Sequence, residues 1–133
     1  MIDVMKEAKM QDIDLNTFYR WNSEDLMLNQ TRGFFAEYLL DRALRINSRC
    51  RKGWEGYDVD YNGTKIEVKS AAYWQTWKQE KPSTIQYDIH QRVSDLFVLC
   101  LLHGRTPTDL TAWDFWVIPT TELPNQQKTI RHS

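Results

Sequence analysis

A chain of 133 residues is long enough for one domain with its own hydrophobic core and needs no covalent or metal staple to fold. Its 17 basic and 18 acidic residues nearly cancel, so bulk charge makes no case for a polyanionic partner, and a nucleic-acid site would have to be a local basic rim. No stretch approaches the roughly 20 apolar residues of a membrane span, and Cys50 and Cys100, 50 residues apart, fit neither a disulfide framework nor a zinc site.

Residues 1–30 read as an N-terminal helical extension. Ile2, Met5, Met10, Ile13, Leu15, Phe18, Tyr19 and Trp21 recur among charges at spacings that suggest one or two short helices packed on the core. From Thr31 to Ile46 the periodicity predicts a firmer helix, with Thr31 as N-cap, an apolar face of Phe34, Phe35, Leu39, Leu40, Ala43 and Leu44, and Arg42 and Arg45 at the end where the helix dipole favours cations. Glu37 lies at the edge of that face. It is either a boundary glutamate paired with Arg32 or Arg42, or a functional acid. Gly33 would let the helix approach a strand or a phosphate closely.

The next segment, 47–55, holds Arg49, Arg51 and Lys52, which form either a solvated turn or a phosphate-contacting rim. Two alternating runs then flank Asn62-Gly63, the strongest short-range signal for a hairpin closed by a two-residue turn with left-handed backbone. That loop sets Tyr61 opposite Thr64, Asp60 opposite Lys65, Val59 opposite Ile66, Asp58 opposite Glu67 and Tyr57 opposite Val68. Alternation puts Asp58, Asp60, Lys65, Glu67 and Lys69 on one face, and Val59, Ile66 and Val68 on the other. Facing carboxylates destabilise a hairpin unless a positive charge sits between them. A divalent ion would supply it, since Mg²⁺ binds through one or two carboxylates, waters and a substrate phosphate. The plainer reading is a solvated face neutralised by Lys65 and Lys69.

Beyond the hairpin, a strand that ran on would carry Tyr73, Gln75 and Trp77 to the face of Glu67 and Lys69, either as rings able to stack on bases and an amide able to hold a phosphate, or as aromatics packed in the core or along a strand edge, the commoner fate of tryptophan. Residues 78–83 read as a loop and 84–89 as a strand with Ile85, Tyr87 and Ile89 on one side. Leu96–Leu102 is an uninterrupted apolar run, the mark of a central strand buried on both faces. Trp113–Pro119 is a last strand, and the tail over 120–133 reads as polar and irregular, with no terminal element. His90 and His103 do not look like metal ligands. Cys100, inside the apolar run, reads as a buried free thiol, which fits an intracellular, reducing, cytoplasmic location.

Asp58, followed nine residues later by Glu67-Val68-Lys69 on a strand, with Glu37 on an upstream helix, resembles the signature of the PD-(D/E)XK nuclease superfamily. The resemblance covers roughly residues 31 to 103. It implies an α+β, restriction endonuclease-like core over 31–119: a mixed β-sheet whose β-hairpin carries the site, with flanking helices. It also implies a strand before the hairpin, within 48–55, and a second helix between the triplet and the buried strand, for which 71–81 is the available stretch. By the same resemblance Asp58, Glu67, the backbone carbonyl of Val68 and Glu37 would bind Mg²⁺, with Mn²⁺ able to substitute. Lys69 would orient the attacking water, and Ser70 or Gln75 would orient substrate, with Tyr73, Arg49, Arg51 and Lys52 as further contacts. The implied reaction is phosphodiester hydrolysis, most plausibly of DNA, with no membrane partner and a homodimer compatible with the sequence. Two other classes stay open: a catalytically inactive nuclease-fold module that binds nucleic acid or a protein, and a metal-free α+β interaction domain.

Overall fold

The computed structural model describes residues 13–53, 55–124 and 129–131. It is a mixed α+β fold. Among the described residues two helices, α1 (Leu15–Ser23) and α2 (Asn29–Ala43), precede the strands β1 (Val59–Tyr61), β2 (Thr64–Ala72), β3 (Gln86–Asp88), β4 (Leu96–Leu102), β5 (Trp113–Pro119) and β6 (Thr129–Arg131). The main sheet has the order β1-β2-β4-β5, antiparallel at both ends and parallel between β2 and β4, while β3 and β6 pair antiparallel as a separate ribbon.

The apolar run of β4 explains the layering. Val98, Cys100 and Leu102 join Ile66, Val68 and Ala72 of β2 against Ala36 and the apolar flank of α2. Phe97, Leu99 and Leu101 face the other way and are covered by Ile85, Tyr87, Ile89 and Leu123. Side chains alternate along a strand, so a strand covered on both sides has to be apolar at every position. Tyr87 is tied into its layer by donating its hydroxyl to the Cys100 carbonyl at 3.1 Å.

The hairpin forms as the Asn62-Gly63 pair dictates. Both residues have positive φ (52° and 93°), and the pairs Val59–Ile66, Asp60–Lys65 and Tyr61–Thr64 are in the expected register. Asp60 accepts from the Gly63 N–H at 2.8 Å and pairs with the Lys65 ammonium. The ladder stops at Val59, however, and the pairings Asp58–Glu67 and Tyr57–Val68 do not form. Instead the Asp58 N–H donates to the Ile66 carbonyl at 3.0 Å, one residue out of register, and the Asp58 carboxylate takes the Val68 N–H at 2.7 Å. A side-chain oxygen has replaced the next backbone acceptor. Beyond that point the outer edge of β2 has no partner strand among the described residues.

Other expectations shift or fail. Helix α2 begins two residues before Thr31, with Leu28 at the N-cap position and no side-chain cap. It ends at Ala43, where Arg45 and Asn47 turn into left-handed backbone and the Ile46 N–H closes on the Asp41 carbonyl at 3.0 Å. A Cβ added to Gly33 would lie 3.7 Å from Ser70 Oγ, so the close approach is to β2 and an alanine would fit there. Helix α1 is capped by Asp14, which accepts from the Thr17 N–H at 3.0 Å, but it buries none of its residues and so is not packed on the core as expected. Residues 1–12 of the expected extension lie outside the described residues.

Among the described residues no strand precedes the hairpin within 48–55, and no helix occupies 71–81. The long connection from β2 to its parallel neighbour β4 is irregular apart from β3. β-Branched and aromatic residues at Tyr73, Trp74, Thr76 and Trp77 disfavour a helix there. The tail, expected to be irregular, contains β6; residues 125–128 and 132–133 lie outside the described residues. No helix among the described residues is long and apolar enough to cross a membrane.

Candidate active site

The bulge at Asp58 builds the site. Because its carboxylate is held in the plane of the sheet by the Val68 N–H, Asp58 sits at the open edge of β2, between what projects from either face. Ile66 and Val68 point toward α2, so Glu67 and Lys69 project to the opposite face. Glu37 comes from α2. Asp58 raises the proton affinity of both Glu37 and Glu67, which places the three carboxylates in one electrostatic neighbourhood with Asp58 central. Asp58 therefore acts on both of the other acids, through a bulge and a helix rather than across a ladder.

Their energetics differ from those of surface acids. Burial first, and then the neighbouring Asp58, lift the Glu37 carboxyl to about 7, although Arg51 works in the other direction. Glu67 is raised for the same two reasons, again burial before Asp58, with Lys69 opposing. Partly desolvated carboxylates that repel one another hold protons until a cation compensates them. The Lys69 ammonium lies 3.3 Å from Glu67 Oε1, as the strand's alternation requires of residues two apart.

The expected basic rim divides. Arg49, Arg51 and Lys52 line a cavity of 310 Å³ together with Phe34, Glu37 and Asp58. Arg51 is not a free phosphate ligand: its Nε and one terminal nitrogen donate to the two Glu37 oxygens at 3.2 Å each, and its guanidinium lies 3.7 Å above the Phe34 ring. The partner of Glu37 is thus Arg51, not Arg32 or Arg42. Arg42 is engaged by Asp41, Asn47 and the Ser48 carbonyl.

The residues expected to contact substrate after the triplet separate in space. Ser70 and Gln75 line a 380 Å³ groove that also includes Lys69, Asn29, Arg32 and Asp88. Gln75 reaches it from a turn, not from a continued strand. Its amide donates to the Ala72 carbonyl at 2.9 Å, while its own N–H donates to Gln79 Oε1 at 2.5 Å. Tyr73 leaves the site. It packs with the layer of Ile85 and Tyr87, and its ring lies 5.5 Å from that of His103. Trp77, expected on the same face, stands exposed. His90 pairs with Asp88 and His103 with Asp114.

Sequence reasoning missed Arg32 and Asp88 as neighbours of this site. Asp88 was obscured because it comes from a separate ribbon, although it raises the proton affinity of Glu67. Arg32 carried one signal: a cation in the first turns of a helix opposes the helix dipole and calls for a reason.

Among the described residues no three His, Cys, Asp or Glu side chains converge closely enough to enclose a metal ion by themselves. The donor set still suits a hard ion that completes its shell with water and substrate oxygens, because Asp58 and Glu67 present carboxylate oxygens that repel each other without one. Compared with known proteins, the chain matches no family model, no curated protein and no solved structure.

Proposed function

We propose that the protein is a metal-dependent nuclease that hydrolyses phosphodiester bonds of DNA, on a restriction endonuclease-like core of the PD-(D/E)XK type. The observation that carries this reading is the row Glu37, Asp58, Glu67 at the open edge of β2: two of its half-buried acids have raised proton affinity, and Lys69 is within 3.3 Å of Glu67. Asp58 and Glu67, with the Val68 carbonyl and with Glu37 behind Asp58, are the groups that would hold Mg²⁺ or Mn²⁺. Such an ion, when bound, polarises the scissile phosphate and lowers the pKa of its bound water. Lys69 keeps an ammonium beside the reacting group and offsets the negative charge that builds there. The Val68 N–H fixes the rotamer of Asp58, so this carboxylate is preorganised before substrate arrives. Two free cysteines, Cys50 and Cys100, agree with work in a reducing, cytoplasmic compartment.

The Arg51 clamp on Glu37 favours a second reading, a nuclease-like module that binds DNA or a protein without cutting, because it occupies both oxygens of one acid. Plasmid and single-stranded DNA incubated with the protein in Mg²⁺ or Mn²⁺ separate the two. Cleavage that requires the metal and falls at least about 100-fold in Glu67→Ala and Lys69→Ala is the expected result. Stabilisation of the fold by Mn²⁺ without cleavage selects the binding module. Absence of both cleavage and stabilisation removes the metal site altogether.

A further inference from the structure

The groove beside Lys69 contains a charge that the fold does not explain. Arg32 is 3 % exposed, yet no carboxylate among the described residues pairs with it. Its terminal nitrogens donate to the Met27 carbonyl at 3.1 Å and to Asn29 Oδ1 at 2.7 Å, both neutral acceptors, and its Nε has no partner among the described residues. Burial alone acts on its proton affinity, downward, with no neighbouring acid to offset it. Removing a guanidinium from water without a counter-charge is among the costlier things a fold does. A second observation points to the same place. Helix α2 starts at Asn29 without a side-chain cap, so the positive end of its dipole is left open at the groove that Asn29 and Arg32 line.

The rest of the lining is suited to an anion. Ser70 contributes a hydroxyl and Lys69 an ammonium, whereas the Gln75 amide is turned to the Ala72 carbonyl and Ser83 Oγ. Since the Val68 N–H points to the unpaired edge of β2, the N–H of Ser70, two residues on, points to that edge as well. Asp88, the one acid among the described lining residues, is engaged by His90, whose backbone N–H donates to it at 3.1 Å.

We propose that this groove is a phosphate-binding subsite, in which Arg32, the open end of α2 and Ser70 hold a backbone phosphate of the substrate strand next to the one attacked at Glu67 and Lys69. The assignment deepens the nuclease reading and rests on it for the identity of the ligand, but the binding of phosphate itself does not need the metal. Arg32 binds substrate and stands apart from the reacting atoms. Its bound phosphate fixes the register of the strand.

Inorganic phosphate without divalent metal, titrated against the full chain by calorimetry and by thermal shift, tests the subsite separately from cleavage. The native protein and Glu67→Ala are expected to bind it. Arg32→Met should bind at least about tenfold more weakly, since charge-assisted hydrogen bonds are lost. Gln86→Glu, an exposed change at the groove that leaves the core untouched, should weaken binding several-fold and Gln86→Lys should strengthen it. No phosphate binding by the native protein, or binding that is the same in Arg32→Met and both Gln86 variants, overturns the proposal. If Arg32→Met does not fold, the opposed Gln86 pair decides alone. Loss of cleavage with phosphate binding retained in Glu67→Ala counts for the subsite, and absence of cleavage by native protein that still binds phosphate through Arg32 leaves the groove standing while removing the nuclease reading.

Discussion

Helix α2 carries two charges out of water, and the fold treats them in opposite ways. Near its middle, Glu37 is met by both arms of Arg51, which is itself stacked on Phe34. Near its start, Arg32 is more deeply buried and meets only a carbonyl and an amide oxygen. A buried charge with a fitted counter-ion is part of the structure's own balance, and removing one member exposes the other. A buried charge without one is a cost that folding alone does not recover, so a ligand is the natural place to look for the compensation. The same contrast separates the two cavities: the one at Glu37 holds both signs of charge, whereas at the groove of Arg32 the one acid among the described lining residues, Asp88, is turned to His90.

Breaking the carboxylate row should give the largest effect. Asp58→Asn keeps an oxygen for the Val68 N–H but removes the charge shared between Glu37 and Glu67. DNA cleavage should fall at least about 100-fold, while the melting temperature holds or rises because the repulsion is gone. Asp58→Ala should lose the same activity and in addition about 1–2 kcal/mol of stability in urea unfolding, the cost of leaving that N–H unpaired. Equal stability of the two variants would mean that the bulge is held by something other than Asp58.

The next effect is one of sign. Arg51→Met leaves Glu37 without its partner and should destabilise the fold by about 1 kcal/mol above neutral pH, the modest figure reflecting the exposure of Arg51. Arg32→Met removes an uncompensated buried charge and should leave stability unchanged or increased, at the expense of phosphate binding. Parallel denaturant titrations read both. If Arg32→Met were the more damaging of the two, Arg32 would be a structural anchor for Met27 and Asn29, and the contrast between the two ends of α2 would collapse.

Much of this architecture was legible in the sequence because it rests on local rules. Asn62-Gly63 fixed the turn and three ladder pairs, the apolar run predicted β4, and the alternation of Ile85, Tyr87 and Ile89 predicted a strand with one apolar side, though not that this side covers the second face of β4. What escaped depends on geometry between distant segments. The bulge at Asp58 arises because a side chain outcompetes a backbone carbonyl for one N–H, a choice that alternation does not encode. The pairing of Glu37 with Arg51 crosses 14 residues of helix end and loop, whereas helical spacing suggested only Arg32 and Arg42. Strand β6 is three residues long and exists through its pairing with β3, so its own sequence shows little. The burial of Arg32 follows from where the groove closes, and only its unfavourable position in the helix dipole hinted at it.

The smallest effect lies in pH, and it sharpens the comparison from the acid side. Glu37 in the folded chain titrates near 7, against an ordinary value of 4.5, and Glu67 is shifted the same way, chiefly by burial. An acid whose proton is held more tightly in the folded state stabilises that state fully below the unfolded pKa and ceases to do so as pH rises through the folded one. Without divalent metal, stability should therefore decline between about pH 4.5 and 7, and Glu37→Gln should flatten most of that slope. Arg51→Met should steepen it, because the guanidinium that now opposes the shift is gone. Mg²⁺ requires the ionised carboxylates, so its addition should raise the melting temperature more at pH 8 than at pH 5. Arg32→Met should leave the slope unaltered, since burial is what shifts Arg32 and no acid contributes to that shift; a change there would show that the two charges on α2 are coupled after all.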